Sequence, residues 1–427
     1  MAISDKLTQV NKCKTDIKNS LTNIVDSMNN VAFTGYSGKI DEVGLEVNTQ
    51  ADLISQIATA LEGKAAGGSS NEDDSFRMLV DGTITNINDT KITKIHPYAF
   101  YNRSSLIEVN FKACTNVGSN AFSGCSSLTT AIFPVCTTIA SSGFYNCKQL
   151  TNISFPLCTN VGSNAFKFCS SIKTANFPAC KTIISSAFYG CTSLEAISFP
   201  ACTNVGSYAF STCTSISEAA FPSCITIEEG AFRGCTLLKT ADFPACTNIK
   251  SGAFSSCSSL TTVSFPVCTS IGSVAFYSCS SLKTADFPVC TSLGSSAFQG
   301  CSSLTYVNIP KCTSIGASAF QYCSSLTEVS FPECTYIGVG AFNSCTSLTK
   351  ANFPVCITIS TSAFKGCKSL SELYLTNSSI CTLNNSTVFS GAGITATAGS
   401  IYVPASLVNS YKTATNWKYF SNRIFGV

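Results

Sequence analysis

A 22-residue unit, seen in full as CSSLTTAIFPVCTTIASSGFYN from Cys125 to Asn146, returns in register from Phe100 to about Leu375. Further copies begin at Cys147, Cys169, Cys191, Cys213, Cys235, Cys257, Cys279, Cys301, Cys323, Cys345 and Cys367, with no insertion or deletion. A fixed period of this size predicts a solenoid, in which each unit buries its apolar face only against its neighbours. One elongated body with terminal pieces therefore replaces the several globular domains that 427 residues would otherwise suggest.

Within a unit, Leu128, Ala131 and Phe133 read as a strand, the last two pointing inward on a period of two. Pro134 and its ten equivalents through Pro354 follow at once. Proline cannot donate to a ladder, so it ends the strand at a fixed column and turns the chain. Next comes C-T-x-I, with Cys136 and Ile139 directed inward. The run Ala165, Phe166, Cys169 with its following serines predicts a short helical or 3-10 turn back to the next strand. The column after Ile holds Gly118, Gly162, Gly206 and Gly272, but also Ala140, Glu228 and Lys250. A positive φ is therefore not required there, and small size explains the glycines.

The chain has 26 cysteines. Twelve follow the Ala-Phe dipeptide, from Cys125 to Cys367, and twelve follow the proline corner, from Cys114 to Cys356. Only Cys13 and Cys381 stand outside. Disulfide frameworks are short and irregular, whereas these cysteines keep the core register. They read as reduced, buried thiols used as small hydrophobes. The alternatives are stacked disulfides or metal. Metal is disfavoured by the absence of paired CxxC spacing and by a single histidine, His96.

Charged residues are 11% of the chain, against a usual ~25%, so the surface must consist mostly of Ser, Thr and Asn. A net charge of +3 gives no basis for binding nucleic acid or anionic membranes. No run of about 18 apolar residues predicts a membrane span. The start, MAISDKLTQVNK, shows no secretory signal.

Residues 1–62 predict a helical oligomerisation or attachment segment. Leu7, Val10, Ile17, Leu21, Ile24 and Met28 share one helix face, with 4-3-4 spacing from Ile17 as in a coiled-coil seam. An amphipathic helix packed within a small domain is the alternative. A second helix is expected from about Thr49 to Leu61. Helices with so little apolar surface need a partner, which favours self-association over a monomeric hairpin. Residues 63–75 are Gly-, Ser- and acid-rich, a flexible linker. Residues 76–98 alternate around Asp81-Gly82, predicting a cap hairpin. The solenoid should occupy 99–375 and a C-terminal cap 376–427. That cap should hold a strand at Ile401 to Val403 and an amphipathic helix from Ser406 to Phe425.

No catalytic constellation is present: His96 stands alone, and no Walker loop, HExxH or paired-carboxylate motif occurs. No cofactor is expected. What varies is the outward strand surface. One ladder runs through Thr130, Asn152, Glu218, Tyr306, Glu328 and Lys350, the other through Asn176, Asp242, Asp286, Asn308 and Asn352. These eleven residues form the candidate ligand face. The plainer reading is a solvated β face that uses Thr and Asn against aggregation.

The unit CSSLTTVSFPVCTSIGSVAFYS (Cys257 to Ser278), with its AFxxC, SSL, Pro corner and T-x-I, resembles the BspA-like leucine-rich repeats over about Ile92 to Leu375. The stretch Ile401 to Ile424 is similar to the module that often closes such repeats. This resemblance implies an α/β leucine-rich-repeat solenoid, a right-handed coil of about 12–13 repeats with a parallel sheet, and a role in adhesion or binding without catalysis. The front end, including LEGKAAGGSS (Leu61 to Ser70), is similar to those of bacteriophage structural and tail proteins. That second resemblance implies a virion protein made in the host cytoplasm, a tail fibre or tail-tip part. It would form a homo-oligomer, a trimer, through residues 1–62, beside other virion proteins, and recognise a host cell-surface carbohydrate or protein. The alternatives are a bacterial surface adhesin and a purely structural spacer.

Overall fold

The computed structural model describes residues 85–396 and 399–427. The helices expected in 1–62 and the linker at 63–75 lie outside the described residues.

Two short strands per coil follow from the two inward-pointing stretches of the unit. Three-residue strands such as Thr130–Ile132 and Asn152–Ser154 stack in parallel and form the wide sheet. Two-residue strands such as Thr138–Ile139 and Asn160–Val161 form a second parallel sheet, 14-stranded and unbroken from Lys94–Ile95 to Thr382–Leu383. Register is one unit per coil: Thr130 pairs with Asn152 and Ile139 with Val161. The fold is thus a parallel β-solenoid. The return segment is a run of turns and not the expected short helical or 3-10 turn, while the expected leucine-rich-repeat solenoid with a parallel sheet is present.

The reason lies in the backbone of that segment. Its residues alternate between bonds within the turn and bonds to the next coil: Ala121 N donates to Gly118 O, while Phe122 N donates to Gly143 O. Two columns of residues take left-handed φ to make this possible. One runs Asn120, Ser142, Asn164, Ser186 and Tyr208; the other runs Asn102, Gly124, Asn146 and Phe168, each at φ between 54° and 77°. A helix cannot pass through such residues, and an α turn would leave the coil-to-coil bonds unmade. Glycine and Asn suit these columns, while Val274 at φ 51° does not, because a β-branched side chain crowds its own carbonyl. Val274→Asn, matching Asn120 and Asn164, is expected to raise stability by about 1 kcal/mol, read as a higher urea midpoint at constant slope.

The glycines after Ile do not take positive φ. A Cβ at Gly294 would lie 2.5 Å from the backbone of Gly272 and Ser273, so close approach of coils is their role. The prolines end the strands as expected.

The interior is two columns of phenylalanine. Phe122 stacks on Phe144 at 5.0 Å and 6°, and Phe133 on Phe155 at 5.1 Å and 9°. Across columns the rings meet edge-on, Phe133 against Phe144 at 5.9 Å and 75°. Parallel rings within a column and tilted rings between columns satisfy the quadrupoles on both axes. Ile309 interrupts the second column and is still buried.

The 25 described cysteines are buried and free. Each column has a fixed partner: Cys136 Sγ donates to Thr138 O at 3.3 Å, and Cys147 Sγ to Phe122 O, one coil back, at 3.0 Å. Phe122 O also accepts Cys125 N. The thiol therefore fills space and also serves a buried carbonyl. Burial pushes Cys136 and Cys279 up to about 12 and Cys246 to about 11. In the native protein at neutral pH these thiols should resist alkylation. Denatured without reductant, the chain should show most of its 26 cysteines free. A count of only a few would overturn the reduced core.

The Thr- and Ser-rich surface has a matching explanation. Thr137 Oγ1 donates to Thr115 O at 3.2 Å and Thr159 Oγ1 to Thr137 O at 3.1 Å. Hydroxyls in this column tie each coil to the one before.

The wide sheet lapses in three places, after Asn152–Ser154, Ala196–Ser198 and Tyr306–Asn308. The middle residues of those strands, Ile153, Ile197 and Val307, are half-buried, where Ala131 and Ala175 are buried. Size alone does not cause the lapse, since Val263 and Val329 occupy the same column, are buried and pair with the next strand.

At the N-terminal end, the described part of the expected hairpin is not an antiparallel arm. Asn86–Asp89 pairs parallel with Glu108–Phe111, and Lys94–Ile95 with Asn116–Val117. These rungs and those near 372–383 keep the inward apolar positions without the full motif, so the coils exceed the expected 12–13.

At the other end, Ser400–Val403 forms the expected strand and pairs with Glu372–Tyr374, but it is not the last, because Ile424–Gly426 pairs along its outer side. The expected helix over 406–425 is instead broken. A 3-10 turn at Ala405–Leu407 leads to a short helix at Val408–Thr413, then a 3-10 segment at Trp417–Arg423 and a final strand at Ile424–Gly426. Ala414 is extended and Asn416 has φ 65°. The break lets Asn416 Nδ2 reach Leu383 O at 2.9 Å and Trp417 Nε1 reach Cys381 O. Of the apolar residues expected to cover the core, Tyr411, Trp417, Phe420 and Ile424 are buried, and Leu407 and Val408 are half-buried. Among the described residues, no helix is long and apolar enough to cross a membrane.

Candidate ligand face

The strand residues singled out from sequence share one face of the wide sheet, because Cβ direction alternates along each strand. Asn152, Asn176, Glu218, Asp242, Tyr306, Glu328 and Lys350 are exposed, and Thr130, Asp286, Asn308 and Asn352 half-exposed. Tyr306 is 55% exposed.

The structure brings only some of them together. Asn308 Nδ2 donates to Asp286 Oδ1 at 2.7 Å, and Tyr306 stands in register with Thr284. Glu328 pairs in register with Lys350, and Asn352 Nδ2 donates to Ser330 Oγ at 3.1 Å. Asp242 lies opposite Ser264. Thr130 and Asn152 are neighbours, but a lapse in the sheet separates them from Asn176. The eleven residues are a set of local clusters along a strip, not one site.

Two features escaped sequence reasoning. The first continues the strand face into the cap. Tyr374 stacks on Tyr402 at 4.6 Å, Tyr402 meets Phe425 at 6.5 Å, and Lys350 Nζ lies 5.2 Å from the Tyr374 ring. Tyr374 keeps the 22-residue spacing from Asn352, which was the available signal. The second is the turn edge, treated from sequence as core alone. There Tyr145, Phe168 and Tyr189 form an edge-to-face series at 5.8 and 5.6 Å, with Lys167 Nζ 4.9 Å from the Tyr189 ring. The two variable positions inside AFxxC carry these side chains.

His96 is half-buried in the first coil. Among the described residues, no three metal-type side chains converge. The features present are suited to holding a ligand by stacking and hydrogen bonds.

Parallel coils of this length, with a repeated Leu, Phe, Ile and Cys interior and a variable exterior, define a leucine-rich-repeat solenoid. The BspA type leucine rich repeat region matches residues 72–187, 159–283 and 291–407. The chain belongs to this family. A leucine-rich repeat protein from Bacteroides ovatus is similar in structure, with a TM-score of 0.63 and 24% identity over 80% of this chain and 91% of that one. A leucine rich cell surface protein from Faecalibacterium prausnitzii aligns with a TM-score of 0.40 and 21% identity, over 73% of this chain and 86% of that one. No curated protein matches the chain.

Proposed function

We propose that this chain is a non-enzymatic recognition protein that works at a surface, presenting its solenoid to a cell-surface carbohydrate or protein. The observation that carries this reading is the division of each coil. The interior repeats almost unchanged, while the outward positions vary and remain accessible. Solenoids use such extended faces for binding. Family membership supports a bacterial surface adhesin. The tail-fibre setting rests on the front-end resemblance alone, and flanking tail and baseplate genes would be needed to restore it.

The test is saturable binding of the full-length chain to surfaces coated with mucin glycans or with extracellular-matrix proteins. Replacing Tyr306, Asn308 and Lys350 together with Ala should weaken binding without changing the circular dichroism. Absence of saturable binding on every surface would favour the spacer instead.

A further inference from the structure

We infer that the turn edge carries a pyranose-binding trough between Tyr208 and Tyr277, separate from the strand face. This rests on the reading of the chain as a recognition protein and names a site and a ligand class for it.

The trough arises from a local change in one left-handed column. Tyr208 occupies a position that is glycine in the next two coils, Gly230 and Gly252. Its ring lies over Gly230, where a Cβ would fall 2.4 Å from Tyr208 Cε1. At Gly252 a Cβ would meet nothing closer than Val274 Cγ2 at 3.8 Å. The Tyr208 ring covers the Gly230 position, and the open space lies at the coil of Gly252, between that ring and Val274. Val274 and Tyr277 close its far end, and the trough, open to solvent, has a volume of about 260 Å³. That is room for one sugar ring.

The lining supplies what a pyranose needs. Tyrosine at each end offers a flat apolar surface for the C–H faces of the ring. Arg233 lines the trough, and its guanidinium makes no hydrogen bond or ion pair with the described residues. Glu229 stands opposite as an acceptor, held in place by the Tyr208 hydroxyl, which donates to it. Ser255 is 6% exposed and lines the trough. A concave site lined by two aromatic rings with a cation, a carboxylate and a hydroxyl beside them points to a ligand with both apolar and polar faces.

Other ligand classes fit less well. An extended peptide would need free backbone groups. Those of the floor are used: Gly230 N donates to Ser251 O, Gly252 N to Ser273 O and Gly234 N to Ser255 O. A phosphate would face one cation beside one carboxylate. A neutral ring with hydroxyls on its rim uses both.

The experiment is saturation-transfer NMR on the full-length chain with the methyl glycosides of galactose, glucose, mannose and N-acetylglucosamine. At least one should receive saturation at its ring protons. Tyr208→Ser and Arg233→Ser should each bind it about tenfold more weakly. Both substitutions copy neighbouring coils, Ser186 for the first and Ser211 and Ser255 for the second, so the fold should hold. Tyr322→Ser, exposed and remote along the repeat, should bind as the parent does. Transfer to none of the four glycosides, or equal binding by the two variants, overturns the trough. So does transfer to the tripeptide Gly-Ser-Tyr with none to the glycosides. If the chain still binds coated surfaces in those cases, the recognition role stands without this site. If it binds neither, both readings fall.

Discussion

Raising the pH from 7 to about 10 is expected to unfold the solenoid cooperatively, with the cysteines as the cause. Burial holds Cys202 and Cys246 up at about 11, and Cys136, Cys158, Cys180, Cys268, Cys279 and Cys312 at about 12. In the unfolded chain the same thiols ionise near pH 8.5–9. Between those limits the folded state keeps protons that the unfolded state releases. Stability is therefore complete below about pH 8.5 and falls as pH rises through the window. Each thiol contributes about 1.4 kcal/mol per pH unit, so these eight alone remove ~11 kcal/mol per unit. A typical domain has only ~5–15 kcal/mol in total. Circular dichroism and thiolate absorbance, followed together against pH, should change in one coincident transition near pH 9–10. Loss of structure without thiolate formation, or a folded protein at pH 11, would rule the mechanism out.

The second large effect is expected at the phenylalanine columns. Phe232 is fully buried, stacked on Phe210 at 5.3 Å and Phe254 at 5.4 Å, with Phe221 and Phe243 edge-on at 5.8 and 5.7 Å. Phe232→Ala should cost about 3–5 kcal/mol, because a ring-sized hole in a stacked column cannot collapse when the coil spacing is fixed by hydrogen bonds. In a solenoid that loss falls on one interface between neighbours. The urea transition should accordingly broaden or divide as the two halves uncouple, with a lower slope for each. Phe100→Ala is the internal comparison. Phe100 is half-buried at the first coil and has one neighbour in its own column, Phe122 at 4.9 Å, so its loss should be smaller. Ile309, buried between coils that carry Phe287 and Phe331, shows that the second column accepts an aliphatic side chain. Phe243→Ile should therefore lose less than Phe232→Ala. An equal loss at the end and the centre, with one undivided transition, would contradict nearest-neighbour coupling.

Much of the fold is legible without coordinates, because a solenoid's contacts are local. The period sets one coil per unit, and alternation in Leu128, Ala131 and Phe133 sets which side chains enter the core. The proline column sets where the strand stops. Each of these depends on residues within one unit or on its neighbour 22 positions away. The candidate site was less legible. A face can be assigned from alternation, but which of its residues touch depends on coil spacing. Asp286 and Asn308 bond, whereas Asn152 and Asn176 are parted where the ladder lapses after Asn152–Ser154.

The sequence by itself determined the interior of this protein: the repeat, the two cysteine columns, the phenylalanine stacks and the corner. Those follow from apolar periodicity, which has only one way to bury itself at a 22-residue period. Tertiary structure alone decided the return edge and the cap. The segment around Ala-Phe reads in sequence as a short helical or 3-10 turn, but its backbone bonds run to the next coil through left-handed residues. The cap has helical periodicity, but Asn416 and Trp417 must reach Leu383 and Cys381, which breaks it. In both places local preference lost to hydrogen bonds made with a neighbouring coil, and those partners become visible only when the coils are stacked.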